Sequence, residues 1–238
     1  MLLFYIRHGD PIYNPDNLTP RGQRQAEALA KRFGVYGLDR IFTSDSTRAV
    51  LTAKPTCELL NLPHTECPWA NEGRAWDNMC VIYESGHREY VFEDPAMREL
   101  FVSNEMVALG YDWGTHEAFR DSTIPTCVAA VQQDTDAFLA SLGYRRDPAR
   151  HVYIAENPTE ERVAPFAHQA IGTAILSGIL DMPYPQYCTR FDMGHTGVTA
   201  IEFREKNGIV IPRVLQLSND SHLYREGLPT VYQNRLPL

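Results

Sequence analysis

The chain has no surplus of positive charge. Its 22 Lys and Arg stand against 30 Asp and Glu, a net charge of −8 over 238 residues. That balance argues against a nucleic-acid-binding domain, which carries clustered positive charge. No apolar run approaches the length of a membrane span, so no membrane partner is expected. The first apolar stretch is cut short by Arg7, too soon for the core of a signal peptide. Cysteine is sparse, with five residues (Cys57, Cys67, Cys80, Cys127 and Cys188) and no CxxC pair. An odd count without paired spacing excludes a full disulfide framework and reads as reduced thiols of a cytoplasmic protein. There is no internal repeat and no low-complexity segment. What remains is a globular protein whose 44% hydrophobic content supports a sizeable core. A local Arg cluster can still hold a small anion against a distant negative field.

The run Leu2-Leu3-Phe4-Tyr5-Ile6 reads as a buried strand, with Arg7, His8 and Gly9 directly after it. Thr19-Pro20 opens a helix with Ala26, Leu29, Ala30 and Phe33 at helical spacing, and Gly34 and Gly37 are expected to end it. Asp39 to Thr43 is a second strand. A helix follows from Thr47 to about Leu60, expected to be disturbed at Pro55. His64 to Cys67, His151 to Ala155, Arg162 to Ala167, Val198 to Phe203 and Ile209 to Leu217 are further strand candidates. Helices are expected over Ile124 to Leu142 and Gln169 to Leu180. Strands alternating with helices predict an α/β fold: three α/β/α layers, a mostly parallel central sheet and helices on both faces. One domain is expected over residues 1–238. Within it, about 73–124 is rich in aromatics and charge without a clean strand, and reads as an inserted cap of short helices and loops. Its aromatics are expected to form the cap's own small core.

Three positions share one geometry. Arg7 and His8 follow the first strand, Arg48 lies one turn into the helix after the second, and His168 follows a later strand and precedes a helix. In open α/β sheets, ligands bind beyond the carboxyl ends of strands. Two Arg, two His and several helix N-termini at one sheet edge make an anion site suited to phosphate. An imidazole among those positive groups is held neutral. Its lone pair is then a nucleophile toward a phosphoryl group, while the remaining cations stabilise charge on the transferring oxygens. Flanking Arg and the lack of a carboxylate cluster argue against a metal there, so no metal and no organic cofactor are expected.

Four stretches carry a resemblance to a known family: IRHGDPIYN (Ile6 to Asn14), LTPRGQRQAEALA (Leu18 to Ala30), IFTSDSTRAVLTA (Ile41 to Ala53) and FAHQAIGTAIL (Phe166 to Leu176). Together with SNDSHL (Ser218 to Leu223), they resemble the histidine phosphatase superfamily, also called phosphoglycerate-mutase-like. The resemblance implies that His8 becomes the phosphohistidine. It also implies that Arg7, Arg48 and His168 hold the phosphoryl group, and that Asn14 reaches the phosphate pocket. Glu72 of NEGRAW stands where the family places its general acid, ahead of Glu84, Glu89, Glu93 and Glu105 in or near the insert. Gln169 occupies a position usually held by Gly, where it would narrow the pocket or contact substrate. His195 and Thr196 fall where the family places small polar groups near the site. His222 would support the site or only form a turn.

The expected activity is hydrolysis of a phosphate monoester through phospho-His8, with Glu72 as acid and then base. The partners are a small phosphorylated substrate and inorganic phosphate. A phosphomutase of the phosphoglycerate mutase type is the alternative within the family, and a non-catalytic phosphate-binding module is the alternative outside it. The cap Arg74, Arg88, Arg98 and Arg120 either meet a second acidic group of the substrate or sit on the surface. The strand edge and the cap offer surfaces for a homodimer.

Overall fold

The structure is a computed structural model and describes residues 1–230; residues 231–238 of the single domain expected from the sequence lie outside it. In chain order the first elements are β1 (Leu2–Arg7), a short hairpin β2 (Pro11–Tyr13) and β3 (Asp16–Leu18), α1 (Pro20–Tyr36), β4 (Arg40–Thr43), α2 (Thr47–Leu60) and β5 (His64–Glu66). The expected cap begins with α3 (Glu72–Asn78) and continues through β6 (Cys80–Ile82), β7 (Arg88–Tyr90), α4 (Pro95–Phe101), α5 (Asn104–Leu109) and two 3-10 turns. The chain then forms α6 (Ile124–Ser141), β8 (Tyr144–Asp147), β9 (Val152–Ala155), β10 (Arg162–Ala167), α7 (Ala170–Ile179) and α8 (Tyr184–Cys188). It closes with β11 (Val198–Glu202), β12 (Glu205–Lys206), β13 (Ile209–Val210), β14 (Arg213–Asn219) and α9 (Ser221–Arg225).

The central sheet has the order β14-β11-β1-β10-β4-β5. The pairs β1·β10, β10·β4 and β4·β5 are parallel, whereas β1·β11 and β11·β14 are antiparallel. β1 lies inside the sheet, which is why it is apolar almost throughout. Its alternating side chains feed two cores. Phe4 and Ile6 pack with Leu29, Phe33 and Ala53 of α1 and α2 on one face. Leu3 and Tyr5 pack with Val128, Val131, Ile171 and Ile175 of α6 and α7 on the other. The α/β fold with helices on both faces is therefore present, with a sheet that is parallel from β1 to the β5 edge and antiparallel from β1 to the β14 edge.

The registers Arg7↔Ala167, Phe166↔Thr43 and Thr43↔Glu66 bring the carboxyl ends of four strands to one level. The segments that leave this edge begin with His8, His168, Ser44 and Cys67, and they carry the chemistry.

Several local expectations change. α1 runs through Gly34 and ends at Gly37, whose φ of 70 suits glycine. At Gly34 a Cβ would come within 2.9 Å of the end of the exposed Leu59 side chain of α2. α2 is continuous across Pro55, although Pro55 cannot donate to the Leu51 carbonyl and its ring crowds it. The stretch Ile209 to Leu217 is two strands in different sheets: β13 joins the small sheet β12-β13-β9-β8, and β14 joins the edge of the central one. Pro212 lies at the break and has no N–H to continue a ladder. The cap does contain strands. β6 and β7 pair antiparallel, Cys80↔Tyr90 and Ile82↔Arg88, around a turn holding Gly86 at φ 81. Its aromatics also divide. Phe101, Trp113 and Phe119 pack edge-on and stacked with Tyr184 of α8, extending the main core, whereas Trp76 and Tyr90 face a cavity. Among the described residues no helix is long and apolar enough to cross a membrane.

Candidate active site

His8 follows β1, and its N–H donates to the carbonyl of Ala167 at 2.9 Å, one step past the sheet ladder. Gly9 is required by close approach: a Cβ there would lie 2.8 Å from the backbone oxygen of Gly22. Gly22 is equally constrained, since its Cβ would lie 2.2 Å from the carbonyl oxygen of Asp10. Two glycines thus let the turn after β1 lie against the start of α1. The His8 ring is buried, 2% exposed. Its Nδ1 lies 2.7 Å from the Gly9 carbonyl oxygen. A carbonyl only accepts, so Nδ1 carries the proton and Nε2 keeps its lone pair. Burial holds the His8 pKa well below the usual histidine range, helped by His168, Arg7 and Arg48. The ring is therefore neutral at pH 7.

His168, also fully buried, stands with its ring 5.1 Å from that of His8. Its Nε2 lies 2.7 Å from Ser44 Oγ and 3.2 Å from Ser46 Oγ, at the end of β4. Tyr5 donates its hydroxyl to the His168 carbonyl at 2.8 Å. Burial, then Arg48 and Arg7, keeps His168 well below its usual pKa too.

Arg48 lies in the first turn of α2. It donates to Asp16 Oδ1 at 2.8 Å and covers the ring of Tyr13 at 5.4 Å. Arg7 donates from Nη1 to the carbonyl of Met193. Arg7 Nε, Arg48 Nε, His168 Nδ1 and His195 Nε2 are all buried without a partner. Unpartnered buried nitrogens are uncommon in folded proteins; of these four residues Arg7 and Arg48 line the same cavity, and paired guanidinium groups suit an oxyanion.

Glu72 opens α3, where Asn71 caps the helix by accepting from the Gly73 N–H at 2.8 Å. Its carboxylate reaches the start of α7, accepting from Ala170 N–H at 2.9 Å and from Ile171 N–H at 2.8 Å. Burial raises its pKa, opposed by those two bonds and by Arg7 and Arg48. Glu84, Glu89, Glu93 and Glu105 do not line the cavity that Glu72 lines.

That cavity has a volume of about 590 Å³. Arg7, His8, Arg48, Glu72 and Gln169 line it, with Tyr13, Trp76 and Tyr90 around them. Gln169 donates to Asp192 as well as facing the cavity. Asn14 is not brought in. It lies exposed in the turn between β2 and β3, where the cross-strand pair Tyr13↔Asp16 is presented to the site instead. Paired residues share a face of a ribbon, and the turn residues beyond them do not. His195 is close, with its ring 5.6 Å from His8 and its Nδ1 3.6 Å from Asp10 Oδ1. Burial and Arg7 push its pKa down to about 4. Thr196 is a backbone strap, its N–H directed at the carbonyl oxygens of Arg7 (3.0 Å) and His8 (3.2 Å). Its hydroxyl donates to the His195 carbonyl and accepts from His222 Nε2 at 3.0 Å. His222 therefore supports the His8 turn through Thr196. No group of three or more His, Cys, Asp or Glu among the described residues is placed to hold a metal ion.

Asp16, Tyr13, Ser44, Ser46, Tyr5, Trp76 and Tyr90 join the site without having been singled out from the sequence as site residues. Ser44 and Ser46 had a readable signal, since they are polar, follow a strand end and precede Arg48. The others act through pairings distant in the chain.

Residues 3–80 match the model of the histidine phosphatase superfamily (branch 1). No curated protein sequence matches the chain. Among solved structures, the chain is similar to a mutant phosphoserine phosphatase of Entamoeba histolytica in complex with phosphoserine. The identity is 19%, covering 93% of this chain and 98% of that one, with a TM-score of 0.61. It is also similar to a mycobacterial glucosyl-3-phosphoglycerate phosphatase in complex with VO3, at 17% identity over 90% of this chain and 97% of that one, with a TM-score of 0.58. The match over the RHG and TSDSTRA segments and the fold shared along nearly the whole chain bear out the resemblance of this protein to the histidine phosphatase superfamily.

Proposed function

We propose that the protein is a phosphatase that hydrolyses a small phosphate monoester through a phosphohistidine on His8. The observation that carries this reading is the bond from His8 Nδ1 to its neighbouring carbonyl. That bond leaves the Nε2 lone pair beside two guanidinium groups at the floor of a cavity. Nε2 attacks phosphorus, and the bond from phosphorus to the ester oxygen breaks. Arg7, Arg48 and His168 hold the transferring oxygens and the charge that develops on them. Glu72 gives its proton to the departing alcohol, and its buried carboxyl is suited to hold that proton at the start. The resulting carboxylate then takes a proton from water as that water attacks phospho-His8. Inorganic phosphate leaves, and His8 and Glu72 return to their first states. The scheme uses no metal and no cofactor.

The ligands of the two similar structures, phosphoserine and vanadate, support a small phosphorylated substrate. We read the chain as one domain with a cap over about residues 73–124, between the start of α3 and the start of α6. Its free cysteines agree with a reducing, cytoplasmic setting.

The test is phosphate release from p-nitrophenyl phosphate in EDTA by the wild type and by His8→Ala. Turnover that survives EDTA and falls at least about a thousandfold in the mutant is expected. A folded mutant with near-normal turnover overturns the reading. Assay on 3-phosphoglycerate with and without 2,3-bisphosphoglycerate separates hydrolysis from phosphoryl return to substrate.

A further inference from the structure

Beside the phosphate-binding groups the cavity is lined by aromatic side chains and by the uncharged amides of Asn71 and Gln169. Its outer wall is aromatic: Tyr13, Trp76 and Tyr90. Trp76 is 43% exposed and Tyr13 69%, so both rings keep apolar surface in water. The wall is braced from behind. Trp76 meets Tyr90 edge-on at 5.3 Å, and Tyr90 stacks on Phe92 at 5.3 Å with the rings 10° from parallel. β7 holds Tyr90 in register with Cys80. Ligand pockets are lined largely by apolar and aromatic side chains, and a ring laid against them gains from offset or edge-on stacking.

The charge distribution points the same way. Among the described residues lining the cavity, the cations are Arg7 and Arg48, both beside His8. The four Arg of the cap are spent elsewhere. Arg74 pairs with Asp134, Arg88 lies 3.8 Å from Asp77, Arg98 donates to the carbonyls of Phe92 and Thr189, and Arg120 is exposed. A carboxylate on the leaving alcohol would meet no further cation among the described residues lining the cavity, and Glu72 is one of those residues, a like-charge neighbour that disfavours it. A phosphoryl group fills one end of about 590 Å³, and the remainder is of a size that suits a small organic ring.

We propose that the alcohol released by this enzyme is uncharged and carries a flat ring that lies against Trp76 and Tyr90, which makes those two residues determinants of specificity. This rests on the phosphatase reading above. Phosphorylated acids are the class the site selects against.

The experiment measures kcat/KM for benzyl phosphate, propyl phosphate, 4-carboxybenzyl phosphate and 3-phosphoglycerate, on the wild type, Trp76→Ala and Trp76→Phe. Benzyl phosphate is expected to exceed propyl phosphate and both carboxylated esters by about tenfold or more. In Trp76→Ala the ratio of benzyl to propyl is expected to fall by about tenfold, mostly through KM, with Trp76→Phe restoring much of it. Competitive inhibition by vanadate in each variant reports an intact phosphate end. Equal or better turnover of the carboxylated esters overturns the proposal, and so does an unchanged benzyl-to-propyl ratio in a Trp76→Ala variant that still binds vanadate. Absence of phosphate release from every ester by folded wild type overturns the phosphatase reading itself, and this proposal with it.

Discussion

The carboxylate of Glu72 accepts the backbone N–H of Ile171 at 2.8 Å, joining the first residue of α3 to the first turn of α7. Its other oxygen takes the N–H of Ala170. This fixes an acid on a helix N-terminus next to His168, yet burial raises its pKa while the two N–H groups favour its ionised form. One lone pair on each oxygen remains for a proton. Glu72→Gln is expected to lower kcat/KM on alkyl phosphates by about a hundredfold or more, because an alkoxide needs a proton to leave. p-Nitrophenolate leaves without one, so its ester is expected to lose much less. Measuring both esters on the variant separates proton donation from simple damage to α7; equal losses would remove Glu72 from the acid role.

A second prediction concerns acid stability. His195 is partly buried and His222 buried, and each is held neutral with its pKa pushed down to about 4, chiefly by desolvation. The unfolded chain protonates them near 6.5, so between about pH 6.5 and 4 the unfolded state binds more protons. Stability from these groups is full above that window and is lost as pH falls through it, by roughly 1.4 kcal/mol per pH unit per group. His222→Gln keeps a donor for Thr196 Oγ1 and removes one titration. Its Tm, followed by circular dichroism from pH 7 to 4, is expected to fall less steeply than that of the wild type. Parallel curves would show that His222 does not contribute to the slope.

The parts of the site that were legible in the sequence are those written in local patterns. The apolar run before Arg7-His8-Gly9, the Thr47 start of α2 and the strand before His168 each mark a strand end or a helix start, and these ends coincide because the parallel registers align them. Pairings between distant segments were not legible. Asp16 meets Arg48 only because a hairpin with three-residue strands folds over α2, and strands that short carry almost no periodic signal. The phase of that hairpin also turns Asn14 outward and Tyr13 inward. In the cap, the same richness in aromatics served two purposes: Phe101, Trp113 and Phe119 are core, and Trp76 and Tyr90 are wall. Only the fold separates them.

Gly172 and Tyr5 give a third prediction. A Cβ at Gly172 would lie 2.5 Å from the Tyr5 hydroxyl oxygen, the group that donates to the His168 carbonyl. Gly172→Ala is therefore expected to destabilise the fold by about 1–3 kcal/mol through overpacking and to lower turnover by displacing His168. Removing the hydroxyl with Tyr5→Phe takes away the nearest clashing atom. Urea unfolding of the two single variants and the double variant is expected to show that Gly172→Ala costs less in the Tyr5→Phe background. An additive result would mean that Gly172 is not there to make room for the hydroxyl.

Asp16 and Arg48 give the last. Their pair is only partly exposed, with Arg48 at 11% and Asp16 at 28% side-chain exposure, so the Asp16 charge acts across a medium of lower dielectric than water. Asp16 positions Arg48, but its negative charge also opposes an incoming phosphoryl group. Asp16→Asn keeps an oxygen that can accept from Arg48 Nη1 and deletes the charge. If the two effects are separable, the variant is expected to bind vanadate several-fold more tightly than the wild type. Asp16→Ala loses the positioning contact as well and is expected to bind it more weakly than Asp16→Asn. Vanadate inhibition constants for the three proteins decide the matter. Weaker binding by both variants, to the same extent, would show that the carboxylate charge is needed to aim Arg48 and that its repulsion of the substrate is minor.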